Sequence, residues 1–153
     1  MPTDVRVELQ IARPRDNVAA YAFDWTNDVQ WIGAVTEAQL LTEPPLRAGS
    51  RVLRVATFLG SRLEYVNEVV EYEPPVRLVM SSVEAPFPMR ITYVLDESPS
   101  GATTFRIRAE GDARGFYRLA APLLAQAVRR SITKDLERLK VILETAPPRD
   151  PPS

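Results

Sequence analysis

The C-terminal part of the chain spaces its apolar residues as one long α-helix does, and this constrains the fold more than any other feature. From Phe116 to Glu144 the apolar positions recur every three or four residues, so they form one face of a helix. Pro122 lies early in this run, where a proline either bends a helix or marks its start. A helix of this length needs a large apolar partner surface. The positions are Leu119, Leu123, Leu124, Ala127, Val128, Ile132, Leu136, Leu139 and Leu143.

The partner surface is predicted to be an antiparallel sheet. Residues 4–12 alternate polar and apolar side chains, as a strand with one buried face does. Two short helices are predicted next, over residues 16–23 and 26–32. A curved sheet that wraps one long helix buries both apolar faces and leaves a cavity where the contact is incomplete. Further strands are predicted at 34–43, 50–59, 62–73, 76–84, 87–97 and 102–111.

Length and charge narrow the class of protein. With 153 residues, 45% of them hydrophobic, the chain suits a single core, and we expect one domain over residues 1–145. Residues 146–153, APPRDPPS, include four prolines and are predicted to be a disordered tail. The formal net charge is -1, and no apolar run approaches the roughly 20 residues of a membrane span. We therefore expect no nucleic-acid partner, no stable membrane insertion and a cytoplasmic location.

The chain contains no cysteine and no histidine. It therefore lacks a thiolate nucleophile, the commonest general base and the commonest transition-metal ligand. The glycines at 101, 111 and 115 stand in predicted turns and form no nucleotide-binding pattern. We expect neither a metal nor another cofactor, so any catalysis must use Asp, Glu, Tyr, Arg, Ser or bound water.

One predicted hairpin sets the face on which each central side chain lies. Residues 60–61, Gly-Ser, give a type II′ turn signal, and pairing across that turn puts Arg54 opposite Asn67. Three charged residues on the other face of the second strand mark that face as the outside. Arg54 is therefore predicted on the concave face, where a buried guanidinium needs a partner or points at an anionic ligand. The alternative is an ion pair near the sheet rim, with Glu68 or Asp135.

The same alternation yields a set of candidate cavity residues. Tyr65 and Tyr93 are either core residues with satisfied hydroxyls or proton donors. Asp135 is either a salt-bridge partner or a carboxylate base. Trp31 either packs the short helices on the sheet or contacts a ligand, and Trp25 is expected nearer the mouth. The residues predicted to line the cavity are Trp25, Trp31, Val52, Arg54, Phe58, Tyr65, Asn67, Val69, Met89, Ile91, Tyr93, Phe105, Leu123, Ala127, Ser131 and Asp135.

The outer face of the hairpin also carries apolar side chains. An exposed apolar stripe is typical of a protein interface, so a homodimer through this face is one interpretation. The alternative is that neighbouring long side chains cover the stripe. Its members are Leu53, Val55, Leu59 and Val66.

Five segments, in this order and spacing, resemble a known superfamily: RPRDNVAAYAFDWTNDVQW, AGSRV, VVEYEPPVRLV, GATTFRI and DLERLKVILE. Over residues 4–145 the chain is similar to the START-related SRPBCC superfamily, in particular its polyketide cyclase/dehydrase-like branch. The resemblance implies an α+β helix-grip fold, in which a curved antiparallel sheet of about seven strands surrounds a long C-terminal helix, with two short helices after strand one. Aromatase/cyclase members carry a cavity arginine at the position of Val69, so Arg54 would have to act in its place.

Three functions stay open at this point. The first is binding of a hydrophobic small molecule, such as a lipid, an isoprenoid or an aromatic polyketide-like compound, in the cavity. The second is a polyketide cyclase, aromatase or dehydratase, in which the catalytic residues would be Arg54, Tyr65 and Tyr93 and the cavity shape would orient the reacting chain. The third is a protein-interaction module whose core is filled.

Overall fold

The computed structural model describes residues 2–145 and contains a seven-stranded antiparallel sheet. The strand order is β1-β7-β6-β5-β4-β3-β2, so the first and last strands of the chain are neighbours and β2 is the opposite edge. This architecture confirms the α+β helix-grip prediction. The strands are β1 (Thr3–Ile11), β2 (Val35–Leu40), β3 (Arg51–Phe58), β4 (Ser61–Glu73), β5 (Arg77–Glu84), β6 (Met89–Glu97) and β7 (Thr103–Gly111).

Helices occupy the two places that the sequence predicts. After β1 come α1 (Arg15–Ala22), a 3-10 turn (Trp25–Asn27) and α2 (Asp28–Trp31), which carry the chain from one sheet edge to the other. After β7 come the single turn α3 (Arg114–Tyr117) and the long helix α4 (Ala121–Thr145).

The long helix begins later than its apolar pattern. Arg118 ends α3 in the left-handed conformation, with φ 55°, so the helix cannot run unbroken from Phe116. Pro122 then lies in the first turn of α4, where a backbone N–H would have no acceptor within the helix, so a proline costs no hydrogen bond there. The interpretation of Pro122 as the start of the helix is confirmed, and the alternative, a bend within a helix that begins at Phe116, is wrong.

The β3–β4 hairpin differs from the predicted register by two residues. Its turn residues are Leu59 and Gly60, both with positive φ (50° and 80°), as in a type I′ turn. Arg54 therefore pairs with Tyr65 instead of Asn67. Because side chains alternate between faces with a period of two, a shift by two residues keeps every side chain on its predicted face.

The core lies between α4, α1 and the concave face of the sheet. The C-terminal half of α4 fills this space completely, and Leu136 and Leu139 are both 0% exposed. They pack in one cluster with Phe105 of β7 and Val18 of α1. Towards the N-terminal half of α4 the filling is incomplete, and this position holds the site described below.

The outer face of the hairpin is less exposed than the predicted apolar stripe requires. Val55 and Val66 are buried and Leu53 is half-buried, whereas Leu59 at the turn is 47% exposed. The stripe is therefore interrupted, which favours cover by neighbouring side chains. Homodimerisation stays a prediction.

Two further predictions concern the chain as a whole. Within residues 2–145, none of the helices combines the length and the apolar character that crossing a lipid bilayer requires. The predicted disordered tail, residues 146–153, lies outside the described residues.

Candidate ligand-binding cavity

A cavity of about 210 Å³ lies between the N-terminal half of α4 and the concave face of the sheet. Five side chains of α4 form one wall, from Leu124 to Asp135, at successive inward-facing positions of the helix. An engineered apolar cavity of about 150 Å³ holds benzene. The space is therefore sufficient for a molecule of one or two rings.

Ten of the sixteen predicted lining residues lie in the cavity wall. They come from α2, β3, β4, β6 and α4, which the fold brings together around one space. They are Trp31, Arg54, Phe58, Tyr65, Asn67, Met89, Ile91, Tyr93, Ser131 and Asp135.

Two predicted residues on α4 lie outside the cavity wall, because the apolar stripe is broader than the face that meets the cavity. Leu123 is 58% exposed, whereas its neighbour Leu124 is buried and lines the cavity. Ala127 is half-buried on the flank, and Val128 takes the lining position. Adjacent residues on a helix point about 100° apart, so only one member of each pair can face the sheet squarely.

Four other predicted residues also lie outside the cavity wall. Val52, Val69 and Phe105 face the concave side but are enclosed by the packed core, since the cavity occupies only part of that face. Trp25 lies in the 3-10 turn and faces a separate surface groove between α1 and the loops that follow β2 and β4. The two short helices close the fold with Trp31, which is buried, and leave Trp25 outside.

Arg54 forms a buried ion pair that the sequence analysis missed. Its Nε and Nη2 atoms both lie 2.9 Å from Oδ2 of Asp28, and the two side chains are 6% and 2% exposed. Asp28 is the first residue of α2, so the short helix places its carboxylate over the centre of β3. The predicted partners are wrong: Glu68 pairs with Arg51 at 3.3 Å, and Asp135 bonds elsewhere.

One signal in the sequence pointed to Asp28. A buried arginine needs a carboxylate, and the short helices were expected beside the concave face that carries Arg54. Asp28 is the acidic residue between the two tryptophans of those helices. Its burial depends on the angle at which α2 meets the sheet, which no local pattern specifies.

The tyrosine hydroxyls beside Arg54 stay protonated at neutral pH. Burial raises the pKa of Tyr93 strongly, and the neighbouring Arg54 only partly opposes this effect. Burial raises the pKa of Tyr65 as well, and the nearby Arg54 offsets only part of this increase. These two residues therefore present neutral hydroxyl groups to the cavity.

Asp135 ties α4 to the segment after α2. Its Oδ1 accepts a hydrogen bond from the Gly33 N–H at 2.9 Å and lies 3.4 Å from Nη1 of Arg138. The same Nη1 atom donates to the Trp31 carbonyl at 2.9 Å. Burial raises the pKa of Asp135 to about 6, and the Gly33 bond and Arg138 only partly offset that effect.

The raised pKa of Asp135 predicts that the stability of the folded protein falls as pH rises towards neutrality. The pKa of Asp135 is about 6 in the folded protein against an ordinary 3.8, so the folded state holds this proton more tightly. Its stabilising contribution is present below pH 3.8 and is lost as pH rises through 6. We expect Asp135→Asn to gain up to about 3 kcal/mol of stability relative to the wild type between pH 4 and pH 7. Urea unfolding at both pH values measures this difference, and a difference that does not change with pH would contradict the assignment.

Four buried polar atoms of cavity-lining residues lack a hydrogen-bond partner among the described residues, and they belong to Thr3, Trp31, Asn67 and Tyr117. The Trp31 Nε1–H donor and the Asn67 Oδ1 acceptor lie on the two least exposed of these residues. Trp31 is 1% exposed and Asn67 is 4% exposed. Buried polar groups are normally satisfied, so these two groups have an unused capacity for a hydrogen bond, which a ligand atom within reach would fill.

The other end of the cavity is aromatic and reaches the surface. The ring of Tyr117 lies 5.7 Å from the ring of Phe58 and 6.0 Å from the ring of Phe87, measured between centroids. All three residues line the cavity. Phe116 packs on Phe87 at 5.4 Å and is half exposed. Phe87 and Tyr117 are not among the predicted lining residues, because they belong to short connections whose direction strand alternation does not set.

A family model described as "Polyketide cyclase / dehydrase and lipid transport" matches residues 2–144. Among curated proteins, no sequence relative matches the chain.

Solved structures show the same fold at low sequence identity. A START superfamily protein from Mycobacterium smegmatis has a TM-score of 0.79 and 10% identity, over 92% of this chain and 97% of its own. The Zhui aromatase/cyclase from Streptomyces sp. R1128 has a TM-score of 0.78 and 16% identity, over 94% of each chain. The protein TTHA0849 from Thermus thermophilus has a TM-score of 0.76 and 19% identity, over 94% of this chain and 99% of its own.

Proposed function

The chain belongs to the polyketide cyclase/dehydrase and lipid transport family, and from this premise we propose that it binds a small hydrophobic molecule in the cavity beneath α4. The observation that carries the proposal is the cavity of about 210 Å³, which has apolar walls and one polar end. Apolar walls with a few convergent polar groups are typical of sites for small organic ligands. The volume favours an aromatic compound of one or two rings, or a short isoprenoid, over a long-chain lipid.

The first test identifies any molecule that co-purifies with the protein and then measures its affinity for ligands of different size. Native mass spectrometry of the purified protein, followed by organic extraction, would identify a co-purifying molecule. Calorimetric titrations with naphthalene, geraniol and palmitate then rank the size classes. We expect the first two to bind and palmitate to bind more weakly, because its chain exceeds the cavity.

A cavity-filling substitution provides the matched variant. Ala109 of β7 lines the cavity, so the leucine side chain in Ala109→Leu would occupy space that the ligand needs. We expect at least a tenfold loss of naphthalene affinity, which corresponds to about 1.4 kcal/mol. Ala20→Leu is the control, since Ala20 lies on the exposed face of α1, outside this cavity. Equal affinities in both variants would show that naphthalene binds elsewhere.

A second candidate function is catalysis of the cyclase or dehydratase type. One observation favours it: Asp135 lines the cavity and its pKa is raised to about 6, which suits proton exchange near neutral pH. This differs from the sequence prediction, in which Tyr65 and Tyr93 moved protons. The test is the cyclisation of a poly-β-keto thioester with the wild type and with Asp135→Asn. Faster cyclisation than in buffer, lost in the variant while binding persists, would establish an enzyme.

The third function, an interaction module with a filled core, loses its premise because the structure retains a cavity. A cytoplasmic location stays a prediction.

A further inference from the structure

The polar end of the cavity contains a charge that is already neutralised. Arg54 would attract a ligand carboxylate if its guanidinium were free. However, Asp28 lies 2.9 Å from two of its nitrogen atoms, and both side chains are almost fully buried. An anionic ligand would therefore have to compete with a buried carboxylate for the same cation.

The rest of the lining does not restore a positive field. Each of the three lining carboxyl groups pairs with an arginine outside the lining, so these pairs add no net charge: Glu110 with Arg108, Asp112 with Arg114 and Asp135 with Arg138. The second lining arginine, Arg90, is exposed to solvent. Burying a carboxylate ligand without a free cation would leave its charge uncompensated. The ionisable lining residues, tyrosines aside, are Arg54, Arg90, Glu110, Asp112 and Asp135.

The unmet hydrogen-bonding groups of the same wall are neutral. Trp31 Nε1–H can only donate, so it calls for an oxygen acceptor on the ligand. Asn67 Oδ1 calls for a ligand donor, such as a hydroxyl group. Both residues are more than nine-tenths buried in the wall of the cavity.

We propose that this polar end selects an uncharged hydroxyl- or carbonyl-bearing ligand, with Trp31 and Asn67 as the residues that determine specificity and Arg54 as a structural group neutralised by Asp28. This inference rests on the proposed binding function and names the chemistry of the ligand. A phenol or a hydroxyketone carries both complementary groups, an oxygen acceptor for the Trp31 N–H and an O–H donor for the Asn67 oxygen.

Four probes with one carbon skeleton test the proposal by calorimetry at pH 7. They are naphthalene, 2-naphthol, 2-naphthoate and 2-naphthylmethylamine, of which the last two are charged. We expect 2-naphthol to bind about tenfold to a hundredfold more tightly than naphthalene, since each net hydrogen bond gives about 1 kcal/mol. We expect both charged probes to bind more weakly than 2-naphthol.

Substitutions assign the effect to the two residues. Trp31→Phe keeps an aromatic ring against Tyr93 and Phe105 but removes the N–H donor. We expect it to remove most of the preference for 2-naphthol over naphthalene, and Asn67→Leu is a second variant in case Trp31→Phe does not fold. Trp25→Phe, outside the cavity, should keep the full preference.

The outcomes separate this inference from the function on which it rests. If naphthalene binds but 2-naphthol binds no better, or if either charged probe binds more tightly than 2-naphthol, the selectivity proposal is wrong and the binding function stands. If none of the four probes binds and geraniol does not bind either, the binding function is wrong, and the selectivity proposal fails with it.

Discussion

Replacing Asp28 with asparagine is expected to lower the free energy of unfolding by about 3–5 kcal/mol, the range found when one partner of a buried ion pair is removed. The substitution keeps the size of the side chain and removes its charge. Arg54 then stays buried with no carboxylate bonded to its guanidinium, and a buried unpaired charge is costly. Equilibrium unfolding in urea at pH 7 measures the loss.

The control is an ion pair of another arginine on the same strand that is exposed to solvent. Arg51 of β3 pairs with Glu68 at 3.3 Å, and the two side chains are 48% and 33% exposed. Glu68→Gln should cost at most about 1 kcal/mol, since water solvates the freed arginine. If Asp28→Asn costs no more than Glu68→Gln, Arg54 and Asp28 are not held as the structure places them.

A double replacement separates two free energies: the net contribution of the intact ion pair to stability, and the cost of leaving one partner buried without the other. Asp28→Leu combined with Arg54→Met removes both charges and fills a similar volume with apolar atoms. Such replacements are often neutral or stabilising. We therefore expect the double variant to recover most of the stability that Asp28→Asn loses, which would show that the pair adds little net stability.

The fold followed from the sequence because its determinants are periodic. Strand alternation and the helical stripe each repeat many times, so one local error does not change the result. The hairpin illustrates this: its turn is Leu59-Gly60 instead of Gly60-Ser61, yet Arg54 lies on its predicted face. Only a shift by an odd number of residues would have turned it outward.

The details of the site depend on geometry that no periodicity records. Asp28 meets Arg54 because α2 packs beside β2 and α4, which brings its first residue over β3. Phe87 and Tyr117 enter the cavity from short connections. Each of these positions follows from how separate elements pack, so the sequence could indicate a polar concave face but not its pairings.

Leu136 and Leu123 of the long helix belong to the same apolar stripe of the sequence, but the structure gives them very different burial. Substituting each one therefore tests the orientation of α4. In the structure Leu136 is 0% exposed in the core, whereas Leu123 is 58% exposed at the start of α4. Leu136→Ala should cost about 2–5 kcal/mol of stability through lost burial and a new cavity. Leu123→Ala should change stability by no more than about 0.5 kcal/mol, as for other surface positions.

The comparison is controlled because both changes remove the same atoms from the same helix, and leucine and alanine have similar helix propensities. Thermal and urea unfolding measure the two losses side by side. Neither variant removes a cavity-lining residue, so naphthalene binding by the folded protein should persist in both. Similar losses would mean that α4 is rotated from the orientation described, and the cavity wall from Leu124 to Asp135 would then have to be reassigned.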